Sequence, residues 1–155
     1  MNTKPTIAIG CDDAAVEMKE QLKSHLTGSG FEVTDFGVQA GESALYPDVA
    51  HVLATSVKEK KQQFGVLCCG TGIGMAMTAN KVPGIRAAQA HDNYSAERAR
   101  KSNDAQIITL GARVIGIELA KSIVDSFLAS DFDSQRSGDK VERIRHYESL
   151  EHGKA

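Results

Sequence analysis

Strand-sized apolar segments alternate with longer segments of helical pattern along the chain. Strands are predicted at Thr6–Cys11, Phe31–Phe36, Gly65–Cys69, Ile85–Ala90 and Gln106–Leu110. Helices are predicted at about 14–28, 47–63, from the glycines at 70–74 onward, 94–101, 115–129 and 140–151. Because each strand precedes a helix and is apolar on both faces, this order predicts a parallel sheet covered on both sides. The expected fold is α/β, a Rossmann-like three-layer αβα sandwich with a five-stranded parallel sheet, in a single domain over residues 1–155.

Charge and composition are those of an ordinary globular domain. Charged residues make up 25% of the 155 residues, hydrophobic residues make up 41%, and the formal net charge is −2. Because there is no basic excess, nucleic acid is not an expected partner. The apolar stretches are too short to span a membrane, and the segment before Thr6 lacks the apolar core of a signal peptide. We therefore expect a cytoplasmic protein without a membrane partner.

The three cysteines, Cys11, Cys68 and Cys69, predict free thiols. Their number is odd and two are adjacent, which does not suit ordinary disulfides. The five histidines are scattered, and no Cys-x-x-Cys or His-x-x-x-His spacing occurs, so neither a metal site nor a cofactor is expected. Side chains alternate along a strand, so Cys68 and Cys69 should face opposite sides of the sheet. We expect Cys68 and Cys11 in the core.

A glycine-rich turn joins the third predicted strand to a helix in the sequence Phe64-Gly-Val-Leu-Cys-Cys-Gly-Thr-Gly-Ile-Gly74. Backbone N–H groups at such a junction converge and can stabilise a negative charge. Cys69 stands at its rim, which would place a thiol beside an anion-binding group. Ligands of parallel sheets bind at the carboxyl ends of the strands. This rule predicts that the turn lies at one edge with Asp12, Asp13, His91, Asp92 and the segment 111–113.

Two other kinds of ligand site fit the sequence poorly. A dinucleotide site needs Gly-x-Gly-x-x-Gly after the first strand, but the turn follows the third strand and position 75 is Met. Asp12 and Asp13 resemble the paired acids of a phospho-accepting receiver, which is a signalling module. A receiver also needs an Asp after the third strand and a Lys after the fifth, where this chain has Cys69 and Arg113. Neither interpretation is favoured.

A series of short motifs follows in order along nearly the whole chain. They are Ile9-Gly-Cys-Asp12, Tyr46-Pro47, Cys69-Gly-Thr-Gly-Ile-Gly74, Ala79-Asn-Lys-Val-Pro-Gly-Ile-Arg86, Asn103-Asp104, Leu110-Gly-Ala-Arg-Val-Ile-Gly116 and Arg136. Together they resemble the ribose-5-phosphate isomerase B / galactose-6-phosphate isomerase family. The resemblance implies a metal-independent aldose–ketose isomerase of a small phosphorylated sugar. Such an enzyme moves a proton between adjacent carbons through an enediolate.

The resemblance also implies roles for the site residues. Cys69 is the base, and its thiol would be activated by the start of the following helix. Thr71 bonds a sugar oxygen near the reacting carbon. The N–H groups of the turn, including those of Gly70, Gly72, Ile73 and Gly74, stabilise the developing oxyanion. The remaining substrate-binding positions are Asp12, Asp13, Tyr46 and Asn103 for the sugar, and Arg113, Arg136 and Lys140 for the phosphate.

The resemblance further implies a homodimer or a dimer of dimers with its sites at the subunit interface. In the family, the positions of Arg136 and Lys140 reach the site from a neighbouring subunit. The predicted last helix, at about 140–151, would then pack on that neighbour.

Departures from the family pattern concern the substrate. The family's ring-opening His precedes Asn103, where this chain has Ser102, and Asp13 replaces a second His. A tetrose 4-phosphate cannot close a five-membered ring, because its 4-oxygen is esterified, and needs no ring opener. Segments 91–98, 102–103 and 106–113 also resemble the subgroup that interconverts D-erythrulose 4-phosphate and D-erythrose 4-phosphate.

We expect this tetrose reaction, and two alternatives stay open. The first is the isomerisation of ribose 5-phosphate to ribulose 5-phosphate, with His91 or Ser102 as ring opener. The second is a subunit of a hetero-oligomeric galactose-6-phosphate isomerase, although such a partner can lack the cysteine base, which this chain keeps as Cys69.

Overall fold

A computed structural model describes residues 3–152 as alternating strands and helices. The strands are β1 (Thr6–Cys11), β2 (Glu32–Asp35), β3 (Phe64–Cys69), β4 (Ala87–Gln89) and β5 (Ile107–Gly111). The helices are α1 (Val16–Gly28), α2 (Tyr46–Lys58), α3 (Ile73–Ala79), α4 (Asn93–Lys101), α5 (Ile117–Leu128) and α6 (Ser134–His152).

The strands form one sheet in the order β2-β1-β3-β5-β4, and every neighbouring pair is parallel. The chain leaves β1 toward β2 and then returns to place β3 on the other side of β1. This reversal creates a crevice between the carboxyl ends of β1 and β3, where ligands of such sheets bind. The predicted α/β fold with five parallel strands is confirmed.

Two hydrophobic layers cover the sheet because side chains alternate along its buried strands. Helices α1, α4 and α5 pack on one face against residues such as Ile9 and Cys68. Helices α2 and α3 pack on the other face against Leu67 and Cys69. Cys68 and Cys69 therefore face opposite layers, as predicted. Cys11 is fully buried in the first layer, which confirms its place in the core.

Two helix boundaries were predicted wrongly. The last helix begins at Ser134 instead of about residue 140. Its start is explained by Asp133, whose Oδ1 accepts the N–H of Arg136 at 3.1 Å in the manner of an N-cap. Helix α2 ends at Lys58 instead of about residue 63. The chain reverses there because Lys60 adopts a left-handed conformation with φ of 62°.

Helix α6 contacts the body of the chain near the amino-terminal ends of β4 and β5. Its start lies beside the end of α4, where the Asp133 N–H donates to the carbonyl oxygen of Lys101 at 3.1 Å. Further along, the Glu148 carboxylate accepts the N–H of Gly84 at 3.0 Å, in the loop before β4. Buried Ser137 and Val141 face the body of the chain. Apolar side chains on other sides of α6 stay exposed, namely Ile144, Tyr147 and Leu150.

Candidate active site

The carboxyl ends of β1, β3 and β5 lie side by side and carry most of the predicted site. The turn after β3 packs directly on the end of β5. The Thr109 hydroxyl donates to the Gly72 carbonyl oxygen at 2.8 Å. A Cβ on Gly111 would lie 2.7 Å from Cα of Thr71, so no side chain fits between the two backbones. Gly72 itself has φ of 78°, a conformation that favours glycine.

The Cys69 side chain is 4% exposed and lies beneath this turn. Its Sγ accepts a hydrogen bond from the N–H of Gly72 at 3.1 Å. This N–H is a donor of the kind that a negatively charged sulfur needs. The other two thiols lie on the opposite face, where burial raises the pKa of Cys11 to about 11. Burial raises the pKa of Cys68 further still, so neither is suited to act as a thiolate base.

The amides of the turn are partly occupied by partners within the turn. The Gly72 N–H points at Cys69, and the Ile73 N–H donates to the hydroxyl of Thr71 at 3.3 Å. Gly74 lies in the first turn of α3, where N–H groups have no intrahelical acceptor. Because α3 has only seven residues, the individual N–H groups matter more here than a helix dipole. The assignment of an oxyanion site to these amides stays a prediction.

Arg113 brings a positive charge to the turn. Its backbone N–H donates to the Gly70 carbonyl oxygen at 3.0 Å. Its Nη1 would lie 3.2 Å from a Cβ on Gly70, so the guanidinium packs against that glycine. Burial raises the pKa of Asp12, exposed Asp13 adds to the rise, and Arg113 opposes it. The Asp12 carboxylate also accepts the N–H of Ala14 at 3.0 Å, which fixes its direction at the end of β1.

Tyr46 is the first residue of α2 and reaches the turn from the side of that helix. A Cβ on Gly74 would lie 2.1 Å from Cε1 of Tyr46 and 2.8 Å from its Oη. The ring therefore lies directly on the Gly74 backbone, while 40% of Tyr46 stays exposed. Glycine at position 74 thus lets a phenol hydroxyl stand beside the turn, at a predicted sugar-binding position.

The end of β4 adds His91, as the sequence predicted. The Gly111 N–H donates to Nε2 of His91 at 2.9 Å, so a neutral imidazole carries its proton on Nδ1. Asp92 follows at the same edge but caps α4, since its Oδ1 accepts the N–H of Ser95 at 2.7 Å. A hydrogen bond with Ser95 lowers the pKa of Asp92, as expected for a capping carboxylate.

Gln89 is a contact of the turn that the sequence analysis missed. Its Nε2 donates to the Thr71 carbonyl oxygen at 3.1 Å. Gln89 pairs with Thr109 across β4 and β5, and this register brings it level with the turn. The available signal was a polar residue near the end of the predicted strand Ile85–Ala90.

Three predicted site residues lie at the opposite end of the sheet. Asn103 precedes β5, a strand of five residues, and is therefore roughly 15 Å from the turn. Arg136 and Lys140 belong to the first half of α6, whose start contacts Lys101 at the end of α4. All three side chains are exposed. We call Asp12, Tyr46, residues 69–74 and Arg113 the turn group, and Asn103, Arg136 and Lys140 the far group.

Within residues 3–152, no cluster of three or more His, Cys, Asp or Glu side chains is arranged to hold a metal ion. No helix of this part of the chain is long and apolar enough to cross a membrane.

Comparisons with known proteins agree with this geometry. The sequence pattern of the ribose/galactose isomerase family matches residues 7–144. The chain belongs to the ribose/galactose isomerase family. The family membership and the predicted α/β fold are thus confirmed together. The chain is a sugar phosphate isomerase that interconverts an aldose and a ketose.

Relatives within the family include isomerases of two different sugar phosphates. The D-erythrulose-4-phosphate isomerase of Pectobacterium atrosepticum is 54% identical over 147 residues, which are 94% of this chain and 97% of that protein. Ribose-5-P isomerase B of Listeria innocua is 56% identical over 136 residues, which are 88% of this chain and 92% of that protein. Ribose-5-phosphate isomerase B of Clostridium thermocellum superposes with a TM-score of 0.91 at 41% identity, over 94% of this chain and 98% of that one.

Proposed function

We propose that the chain interconverts D-erythrulose 4-phosphate and D-erythrose 4-phosphate, with Cys69 as the base. The observation that carries the proposal is the 3.1 Å contact between the Cys69 sulfur and the N–H of Gly72. It joins a thiol to a rigid turn at the crevice of a sugar phosphate isomerase. Alone among the three cysteines, Cys69 faces the layer of α2 and α3, where Tyr46 also reaches the turn.

In the forward direction, the thiolate removes a proton from C1 of the ketose, and the carbonyl oxygen on C2 becomes an enediolate oxyanion. The thiol then returns the proton to C2, while a hydroxyl proton moves from the C1 oxygen to the C2 oxygen. We assign the exposed Thr71 hydroxyl to the sugar oxygens and free N–H groups of the turn to the oxyanion. Asp12 and Tyr46 would bond the remaining hydroxyls. No net oxidation or reduction occurs, so the reaction needs no external oxidant.

The complete site requires a second copy of the chain. A phosphate dianion needs cations, but the charged side chains around the turn are Arg113 and two acids, Asp12 and Asp13. The far group supplies Arg136 and Lys140, which are exposed on their own chain. Because these cations lie at the opposite end of the sheet, the turn group of one subunit would meet the far group of its partner. We therefore propose a homodimer, or a dimer of dimers, with α6 at the interface.

The contacts of Ser102 favour a four-carbon substrate. Its Oγ accepts hydrogen bonds from both Nε and Nη2 of Arg98, at 2.8 and 2.7 Å. Both lone pairs are then occupied, and the hydroxyl cannot accept a proton from a sugar ring. His91 is likewise unsuited to accept that proton, because a neutral imidazole has one acceptor nitrogen and here it is Nε2, which binds the Gly111 N–H. A tetrose 4-phosphate avoids the problem, since it remains open-chain.

Ribose 5-phosphate is the second candidate substrate, supported by the Listeria relative. Steady-state kcat/KM for D-erythrulose 4-phosphate and ribose 5-phosphate, measured side by side, separates the two. We expect the tetrose to be preferred, and a clear preference for the pentose would contradict the four-carbon assignment. A Ser102→Ala enzyme should keep its tetrose activity, because this hydroxyl moves no proton in the proposed reaction.

Substitutions of the two adjacent cysteines test the assignment of Cys69 as the base. Cys69→Ala should lower kcat by about 10²- to 10⁴-fold, the usual effect of a positioned acid or base, while the fold is kept. Cys68→Ala is the matched control, because its side chain lies on the other face of the same strand. It should change stability more than kcat. Equal losses of kcat in both variants would overturn the assignment of Cys69.

Activity of the purified single chain distinguishes a homo-oligomer from the hetero-oligomeric alternative. We propose full activity without a second gene product, because the chain keeps Cys69 and the whole turn group. We also propose a cytoplasmic location, since all three cysteines are free thiols in the structure and Cys69 must remain reduced to act as a base.

A further inference from the structure

Arg86 immediately precedes β4, and its side chain reaches the loop that joins α4 to β5. Its Nε donates to the carbonyl oxygens of Asn103 and Asp104, at 3.0 and 3.1 Å. Its Nη2 donates to the Asp104 carbonyl oxygen at 2.8 Å and to the Asp104 carboxylate at 3.2 Å. One guanidinium thus binds two consecutive carbonyl groups and a carboxylate of the same loop. Only 12% of its side chain is exposed.

The loop is fixed from a second direction by Arg100. Its Nη1 donates to the Asp104 carboxylate and to the carbonyl oxygen of Ala105, both at 2.9 Å. Asp104 itself has φ of 49°, in the left-handed region. A non-glycine residue persists there only when its surroundings enforce the conformation. The two arginines therefore hold the backbone on either side of one strained residue.

Asn103 is the residue whose direction this arrangement sets. Its carbonyl oxygen is bound to Arg86, whereas its side chain is exposed and has no hydrogen bond among the described residues 3–152. A side chain that projects freely from a fixed backbone is ready to bind an external partner. The backbone of Arg86 is itself held in place, because its N–H donates to Oε1 of Gln106 at 2.7 Å.

We propose that Arg86 is a positioning residue that acts on the reaction through Asn103, in the active site of the partner subunit. This inference rests on the proposed two-chain site. Arg86 has no assigned contact with substrate; it fixes the peptide from which Asn103 reaches the sugar. The planar guanidinium is required, because the three N–H donors of a lysine share one nitrogen and cannot reproduce the fork that reaches both carbonyl groups and the carboxylate.

The first test measures the Arg86→Gln and Arg86→Lys enzymes with D-erythrulose 4-phosphate. We expect kcat/KM to fall by about 10- to 100-fold for Arg86→Gln, as for a misplaced binding group, with a smaller loss for Arg86→Lys. Lys121→Gln removes a cation from a surface ion pair on α5 and is the control that should retain full activity. In an Asn103→Ala background, Arg86→Gln should add almost nothing, because both changes remove the same contact.

The second test uses hybrid dimers of differently tagged chains, purified through both tags. An Arg86→Gln chain paired with a Cys69→Ala chain forms one site that contains an intact Cys69 and an intact partner Asn103. This hybrid should recover about half of the activity of the unmutated enzyme, because one of its two symmetric sites is intact. A hybrid of Asn103→Ala with Cys69→Ala tests the two-chain site itself and should recover equally.

The outcomes separate the two proposals. Recovery by the Asn103 hybrid without recovery by the Arg86 hybrid overturns the role of Arg86 and leaves the two-chain site standing. Failure of both hybrids contradicts the two-chain site. The role of Arg86 is also refuted if both Arg86 variants are unfolded or monomeric, or if Arg86→Gln remains as harmful when Asn103 is already absent.

Discussion

A single methyl group at Gly111 should impair catalysis far more than it disturbs the fold. Position 111 ends β5, where the strand meets the turn that carries Cys69. The Cβ of an alanine there would lie 2.7 to 2.8 Å from Cα, C and O of Thr71. These are backbone atoms, so no side-chain rotation relieves the contact. The turn must move by about 0.7 Å to reach an ordinary separation of 3.4 Å.

The size of this displacement sets the expected effect of Gly111→Ala. A shift of nearly 1 Å at reacting groups lowers kcat by about 10- to 100-fold. Overpacking of this kind costs about 1–3 kcal/mol in the free energy of unfolding. For a chain of this length, that cost lowers Tm by about 2–12 °C and leaves the protein folded at 25 °C.

The assay compares Gly111→Ala with Gly116→Ala by steady-state kinetics and thermal melts. A Cβ on Gly116 meets no atom within 4 Å, so this second alanine, in the same loop, is the matched control. We expect Gly116→Ala to retain its kcat. If Gly111→Ala is as active as the unmutated enzyme, the turn tolerates movement, and the argument that its rigidity positions Cys69 is wrong.

Two further predictions concern stability and thiol reactivity. Burial raises the pKa of Asp35, but hydrogen bonds from Lys19, Gly37 and Lys23 outweigh burial and leave the pKa below its ordinary value. Asp35→Asn should therefore lower the free energy of unfolding by about 3 kcal/mol at pH 7. The difference should shrink as the pH falls from about 4 toward the lower pKa of folded Asp35, because the unfolded chain then binds a proton that the folded carboxylate does not. Urea titrations that find the difference constant over this pH range would contradict this account. Iodoacetamide should alkylate Cys69 before the two fully buried cysteines, as read by fragment-ion mass spectrometry, and earlier labelling elsewhere would count against a poised Cys69.

The sheet and the turn could be predicted from the sequence because their signals are local. The ends of the five predicted apolar segments lie within two residues of the ends of the five strands. Alternation within one strand was enough to assign Cys68 and Cys69 to opposite faces. The predicted end of α2 and the predicted start of α6 were wrong because a single polar residue decides each of them. Lys60 reverses the chain after α2, and the Asp133 side chain starts α6 inside a segment that looks like a loop.

The contacts between distant segments could not be predicted in the same way. Gln89 meets the turn only because β4 pairs with β5 in one particular register. The hydrogen bonds of Arg86 to the loop at Asn103 join residues 17 and 18 positions apart, across an end of the sheet. No periodicity in the sequence reports such a pairing. Motif spacing marked both segments as members of one family without stating that they touch.

The proposed division of the site between two chains would explain why its charged residues look ordinary in the sequence. Arg136 and Lys140 are exposed on α6, and neither forms an ion pair with another residue of the described range 3–152, so their segment resembles an ordinary solvated surface. Around the turn the charges are mixed, because Arg113 lies near Asp12, and Asp13 adds a second negative charge there. By Coulomb's law, these acids weaken the attraction of Arg113 for a phosphate. A cation kept solvated on one subunit loses little when a dianion replaces its water, whereas a cation buried beside the acids would be neutralised by them. In the two-chain site that we propose, cations from a second chain would separate the phosphate from the acids assigned to the sugar hydroxyls, and assembly would then be a condition for turnover.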